Sequence, residues 1–473
     1  MSDKHRRWRT ERVSGHRGAT EGHREPETEQ LHMTDDAKNR PRADRDDRRF
    51  GTRCLHAGQE HPDPATGARA PPIYQTSSYV FEDAATAADR YALREEGNVY
   101  SRFDNPTVTM LERRLASLTG GTAAVATGSG MAALDAATSV LAGAGDNIVS
   151  AASIYGGTHS YFSNMATRRG IEVRYVDTLD PSAYAEAIDG STAYVHCETI
   201  ANPSLVVPDL AAVAEVAHGQ GVPLFVDNTF ATPYLCRPFE HGADIVWEST
   251  TKWIHGSGTT VGGVLVDGGS FPWGDYPGQF PELGGESPAF EGVTFADRFG
   301  DRALAVAVRQ RALRTLGDGQ SPFDAWATLQ GTETLAVRMK RHCENAARVA
   351  GFLADHPDVA WVRFPGRESH ETHDNARRYL DGGFGGMVAF GPAGGFDAAR
   401  TVCEEANLAS FLANIGDAKT VLTHPASTTH AQLDEEEQRA SGVRPDMVRF
   451  SVGIEEVDDI LADLNRTLEV AHG

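Results

Sequence analysis

Lysine is nearly missing from this chain of 473 residues: five stand among its 44 lysines and arginines, at Lys4, Lys38, Lys252, Lys340 and Lys419. Cysteine is equally sparse, with Cys54, Cys197, Cys236, Cys343 and Cys403 scattered and no Cys-x-x-Cys pair. Such spacing argues against a disulfide frame or a zinc site and predicts reduced thiols in the cytoplasm. No apolar run approaches the roughly 20 residues of a membrane-spanning helix, and no signal-peptide apolar core stands near the start. Positive charge is also short. A net charge of −22 argues against nucleic acid as a partner, because phosphates attract basic surfaces. Dispersed acid with almost no lysine resembles the style of salt-loving microbes, where carboxylates keep proteins soluble.

Residues 1–49 are rich in Arg, Asp, Glu and His, with few large aliphatics. They cannot bury enough apolar surface to order themselves, so a disordered extension is expected. Met33 opens a second plausible start, Met33-Thr-Asp-Asp36. From Phe50 the sequence reads as folded. Residues 50–104 are irregular and carry Tyr74, Tyr79, Tyr91 and Tyr100. Strand patterns are then predicted at 122–126, 147–151, 173–176, 193–197, 224–226, 245–247 and 263–266, with helices over 107–118, 131–141 and 209–218 between them. The alternation predicts an α/β fold with a mostly parallel sheet and helices on both faces, over 105–317. Residues 270–300 are irregular. Residues 318–473 read as a smaller C-terminal α/β domain. Helices are expected over 304–316, 333–353, 397–406 and 458–470, and strands over 386–390 and 448–452.

Ligands of an open α/β sheet sit at the carboxyl ends of its strands. Lys252, in Ser249-Thr-Thr-Lys252, follows one such end. A chain that prefers arginine has kept lysine here, and arginine cannot form a Schiff base because its guanidinium stays protonated. Asp227 ends the apolar run Leu224-Phe-Val-Asp227, where a carboxylate is costly unless it meets a cation or donors. Gly128-Ser-Gly-Met131 lets backbone amides at a helix start approach a phosphate, although a tight packing turn needs the same glycines. The hydroxyls of Ser249 and Thr251 could serve the same phosphate. Tyr155, beside Gly156 and Gly157, could stack on a flat ring. Arg449, among apolar neighbours in Val448-Arg-Phe-Ser-Val452, has the fork that matches a carboxylate. Together these features specify pyridoxal-phosphate chemistry on an amino acid. A nicotinamide-dependent reading lacks its Gly-x-Gly-x-x-Gly after the first strand.

These motifs resemble those of the Cys/Met-metabolism pyridoxal-phosphate enzymes, with the aspartate-aminotransferase-like fold type I. The resemblance runs from about 51 to 468. It rests on Ala70-Pro-Pro-Ile-Tyr-Gln-Thr76, Val99-Tyr-Ser-Arg-Phe-Asp-Asn-Pro-Thr107, Ser129-Gly-Met131, Val226-Asp-Asn-Thr-Phe-Ala-Thr-Pro233, Ser249-Thr-Thr-Lys252 and Arg449-Phe-Ser-Val-Gly-Ile-Glu455. It implies that Lys252 carries pyridoxal 5'-phosphate and acts as base. Gly130, Met131, Ser249 and Thr251 would hold the phosphate, joined by Tyr100 and Arg102 from a neighbouring subunit. Tyr155 would stack on the ring, Asp227 would pair with its nitrogen, and Asn202 would lie near its 3-oxygen. Arg449, helped by Asn414, would take the substrate carboxylate. No metal is implied, and the five-residue gap of His424 and His430 suits no metal pair.

Within the family the chain resembles the O-acetylhomoserine sulfhydrylase branch. The features are the long segment 268–300, Ala413-Asn-Ile-Gly-Asp-Ala-Lys419 and His424-Pro-Ala-Ser-Thr-Thr-His430. Gly157 stands where γ-lyases of the family often carry cysteine. One departure is Lys252-Trp-Ile-His-Gly-Ser-Gly258, where the branch more often has Tyr-Ile-Gly-Gly-His-Gly after the lysine. The resemblance implies a transferase of methionine biosynthesis. It would act on O-acetyl-L-homoserine with sulfide or methanethiol, giving homocysteine or methionine plus acetate. Cystathionine γ-synthase or methionine γ-lyase activity is the alternative within the family. It also implies a homo-oligomer, a dimer of dimers, with 50–104 as an arm reaching the neighbouring subunit.

Overall fold

The computed structural model describes residues 47–429, 431, 438 and 442–473. Nearly all of the expected N-terminal extension, the Met33 start and His430 lie outside the described residues. Seven strands form the central sheet: β1 (Ala123–Thr127), β2 (Asn147–Ala151), β3 (Glu172–Val176), β4 (Thr192–Glu198), β5 (Leu224–Asp227), β6 (Ile245–Glu248) and β7 (Gly263–Asp267). Their order is β1-β7-β6-β5-β4-β2-β3. The pairs β2–β3, β2–β4, β4–β5 and β5–β6 are parallel. β7 runs antiparallel to both β1 and β6. The sheet is thus mostly parallel, and the reversal has a local cause. A parallel neighbour needs a crossover, usually helical, but β6 reaches β7 through the loop 249–262 with no named helix. Lys252 lies in that direct connection.

The strands alternate between two apolar layers. Leu224, Val226, Val246 and Val264 face one core, while Phe225, Ile245, Trp247 and Leu265 face the other. Successive side chains of a strand point to opposite faces, and with helices on both faces neither set meets water. The helix Gly130–Leu141 begins where β1 ends, capped by Ser129, whose Oγ accepts from the Ala132 amide.

Segment 270–300 holds only short elements, among them the two-stranded hairpin β8 (Glu286–Ser287) and β9 (Val293–Thr294). A second sheet follows, built from β10 (Val359–Arg363), β11 (Met387–Pro392), β12 (Ser410–Phe411), β13 (Val421–Thr423) and β14 (Val448–Ser451), in the order β10-β11-β14-β13-β12. All pairs except β12–β13 are antiparallel. Phe390 and Phe450 are buried in the core shared with the helices Leu335–Asp355, Gly395–Glu404 and Val457–His472, each such ring contributing about 1.5–3 kcal/mol. The sequence patterns locate β11 and β14 but miss β10, β12 and β13. They also miss the helix Pro322–Glu333, although its cap, Ser321 accepting from Asp324, is a sequence-level signal. Among the described residues no helix is long and apolar enough to cross a membrane.

Candidate active site

Loops leaving the carboxyl ends of β1, β2, β4, β5 and β6 surround a cavity of about 540 Å³, a size usual for small-molecule sites. β1 contributes Gly130 and Met131, β2 contributes Tyr155, β4 leads to Asn202, β5 ends in Asp227, and β6 leads to Ser249, Thr251 and Lys252. Asn414 and Arg449 close it from the second sheet. Ten of the sequence-predicted residues thus meet in one place. Tyr100 and Arg102 do not line it. Tyr100 is exposed, with the Arg102 guanidinium 4.9 Å from its ring centre.

Lys252 Nζ donates to Asn414 Oδ1 at 2.6 Å. Burial, and then the charge of Arg449, push the amine down to about 8, so the free base is within reach near neutral pH. Asn414 reaches the lysine because Gly416 has a left-handed φ of +71°, and a Cβ there would lie 2.6 Å from the Trp253 amide nitrogen. The Gly416 amide donates to Ser451 Oγ at 2.9 Å, anchoring this loop to β14. Behind the lysine, the buried Arg338 donates to the carbonyls of Trp253 and Ile254.

Arg449 and Ser451 occupy the face of β14 opposite Val448 and Phe450, which enter the core. The arginine is therefore buried on a central strand. Its Nη1 donates to Asn202 Oδ1 at 2.9 Å, and its buried Nε has no partner. Burial pushes its pKa down to about 10. A guanidinium held this way favours an anion.

Asp227 is buried, and burial raises its pKa to about 7 against the pull of its hydrogen bond from the Thr229 amide, 2.8 Å. Glu198 faces it in register on β4. Its pKa is pushed well above the usual carboxylate range by burial and then by Asp227, since two adjacent buried carboxylates resist a double charge. Glu198 was absent from the predicted set, yet its signal was the same as that of Asp227: an acid closing an apolar strand.

The Ser129 cap takes the Ala132 amide and leaves those of Gly130 and Met131 beside the cavity. Thr251 Oγ1 donates to the Gly262 carbonyl at 3.1 Å and accepts from the Gly262 amide at 3.0 Å. The residues that mark the departure after the lysine point elsewhere. Trp253 is fully buried against Phe230, and His255 bonds to Thr259 Oγ1 and the Ala327 carbonyl. His424 is tied to Ser427 Oγ and the Pro445 carbonyl.

The chain is 50% identical over 423 residues to a homocysteine synthase of Schizosaccharomyces pombe, covering 89% of this chain and 98% of that protein. It is 47% identical over 422 residues to O-acetyl-L-homoserine sulfhydrylase 1 of Thermus thermophilus, covering 89% and 100%. A crystal structure of a putative O-acetylhomoserine (thiol)-lyase from Campylobacter jejuni, which carries N'-pyridoxyl-lysine-5'-monophosphate, superposes with a TM-score of 0.85 at 35% identity, covering 89% of this chain and 100% of that one. The model of the Cys/Met metabolism PLP-dependent enzymes matches residues 51–469. With its site at the carboxyl ends of a mostly parallel sheet, the chain belongs to the Cys/Met metabolism PLP-dependent enzyme family.

Proposed function

We propose that this enzyme exchanges the acetate of O-acetyl-L-homoserine for sulfide or methanethiol, releasing acetate and homocysteine or methionine. The observation that carries the reading is Lys252: a half-buried amine with a lowered pKa, in one cavity with a buried acid and a buried guanidinium whose Nε has no partner. The names of the relatives support the choice of substrate.

The residues present fit pyridoxal phosphate. The amides of Gly130 and Met131 and the hydroxyls of Ser249 and Thr251 would hold its phosphate, Thr251 turning its O–H from the Gly262 carbonyl. Lys252 is the amine for its aldehyde. Tyr155 would stack on the ring, and Asp227 would hold the proton at the ring nitrogen. Asn202 accepts from Arg449 through Oδ1, which leaves its Nδ2 to donate to the 3-oxygen. When bound, the cofactor supplies an electron-withdrawing ring that takes up the electrons released at the substrate α-carbon.

The chain's own groups do the rest. Arg449 binds the substrate carboxylate and fixes the α-carbon near Lys252. Lys252 removes the α-proton as a general base and later returns it. A proton then leaves the β-carbon, and acetate leaves the γ-carbon with the electron pair of its C–O bond. The sulfur nucleophile adds to the γ-carbon and gives up its proton, and a proton returns to the β-carbon. Tyr100 and Arg102, exposed on the 50–104 arm, would complete the phosphate site of a neighbouring subunit in a dimer of dimers, and the enzyme would work in the cytoplasm. Residues 105–317 would then form the cofactor domain and 318–473 the smaller one.

The test incubates the purified holoenzyme with O-acetylhomoserine, with and without sulfide, and identifies products. Homocysteine and acetate, dependent on sulfide, are expected. 2-Oxobutyrate and ammonia formed irrespective of sulfide would overturn the reading in favour of a lyase.

A further inference from the structure

Glu198 is buried at the end of β4 beside Asp227. A second acid in that position is costly, so what it does there needs a reason. Its Oε1 accepts from the Tyr155 amide at 2.6 Å, and its Oε2 accepts from the Asn202 amide at 2.8 Å. The two amides belong to different loops, one leaving β2 and one leaving β4. They also belong to the two residues assigned above to the face and the edge of the cofactor ring. Asn202 in turn accepts from Arg449. One carboxyl group therefore links the stacking residue, the edge residue and, through Asn202, the guanidinium.

We propose that Glu198 is a positioning residue of this site: by bridging the Tyr155 and Asn202 amides it sets the slot that receives the cofactor ring. The inference rests on the cofactor-binding reading above. A carboxyl group suits the task because both of its oxygens keep a lone pair for an N–H. A glutamine of the same length has one acceptor oxygen, and its amide nitrogen would face the other N–H. The raised proton affinity of the neighbouring acids is what the arrangement costs. The same two loops are joined a second time, by Ser153 Oγ and Ser204 Oγ at 2.6 Å. That bond touches neither amide and separates loop joining from ring positioning.

The experiment uses Glu198→Gln and Ser153→Ala beside the wild type. Cofactor-free protein is titrated with pyridoxal phosphate, following protein fluorescence, with Trp247 in the cavity wall as reporter. The absorbance of the cofactor bound at Lys252 is then recorded against pH. The wild type and Ser153→Ala should bind alike. Glu198→Gln should bind roughly tenfold more weakly, equivalent to about 1.4 kcal/mol, as for one unmade buried hydrogen bond. Its absorbance should titrate at a different pH. If Glu198→Gln does not fold, Glu198→Asp replaces it, one methylene too short to reach both amides. Wild-type affinity and titration in the variant that folds would overturn the proposal, as would equal weakening in Ser153→Ala. A wild type that takes up no pyridoxal phosphate would instead refute the cofactor reading itself.

Discussion

Asn414→Ala isolates the control of the lysine amine. Lys252 Nζ donates to Asn414 Oδ1 at 2.6 Å, in a site where burial and the Arg449 charge already hold the amine down to about 8. The bond favours the protonated form, since an ammonium donates more strongly than an amine. A hydrogen bond to a charged group contributes about 1.5–3 kcal/mol. At about 1.4 kcal/mol per unit of pKa, alanine should lower the amine by roughly one to two units more. At pH 7 the free base would rise from about a tenth of the lysine to roughly half or more. The assay is the rate at which cofactor-free enzyme captures pyridoxal phosphate, measured by absorbance across pH. Its midpoint should fall in Asn414→Ala and rise in Asn414→Asp, where a carboxylate stabilises the ammonium. An unchanged or raised midpoint in the alanine variant would refute the assignment of Asn414 as the acceptor that sets this amine.

Lys252→Ala should abolish turnover and the absorbance of the lysine-linked cofactor, and normal turnover would remove Lys252 from the reaction. In Gly157→Ala the new Cβ would sit 2.3 Å from Tyr155 Cε1. The ring is partly exposed and can swing aside, so thermal stability should hold while cofactor affinity falls about two- to tenfold with the lost stacking; wild-type affinity counts against Tyr155 as the stacking partner. Arg449→Lys keeps the charge but loses the fork, so KM for the amino-acid substrate should rise about tenfold or more with kcat less affected, and an unchanged KM would place the carboxylate elsewhere. Asp227 keeps its proton in the folded cofactor-free protein up to about pH 7, whereas the unfolded chain releases it near the ordinary 3.8. The unfolded state thus binds fewer protons in that window, and the carboxyl group's contribution to stability falls as pH rises from about 4 to 7, then levels off. Asp227→Asn should match the wild type in melting temperature near pH 4 and exceed it increasingly toward pH 7; parallel curves would argue against a neutral buried Asp227.

The strands of the central sheet were legible because burial on both faces writes itself as short apolar runs between turn residues, as in Leu224-Phe-Val and Ile245-Val-Trp. Lys252 and Asp227 stood out for a related reason: charge closing such a run is rare and expensive. Glu198 carries the same signature directly after the predicted strand 193–197, but its partners, the Tyr155 and Asn202 amides, stand on two different loops that only the fold brings together. β12 and β13 were missed because strands of two or three residues are too short to show a period. The stretch 304–316 reads as one amphipathic helix, and the structure is helical without a break from Ala303 to Leu316, with π-type turns at Arg309–Leu313.

Local composition and periodicity therefore determined the α/β class and singled out the strand ends and the lysine proposed to carry the chemistry, since these depend only on neighbours along the chain. Tertiary structure alone decided the rest. It reversed β7, because the loop 249–262 contains no crossover helix. It brought Asn414 to Lys252 across 162 residues and Asn202 to Arg449 across 247. It also joined Tyr155 to Asn202 through Glu198. Contacts at such separations depend on how two sheets pack, and no local pattern of residues encodes that distance.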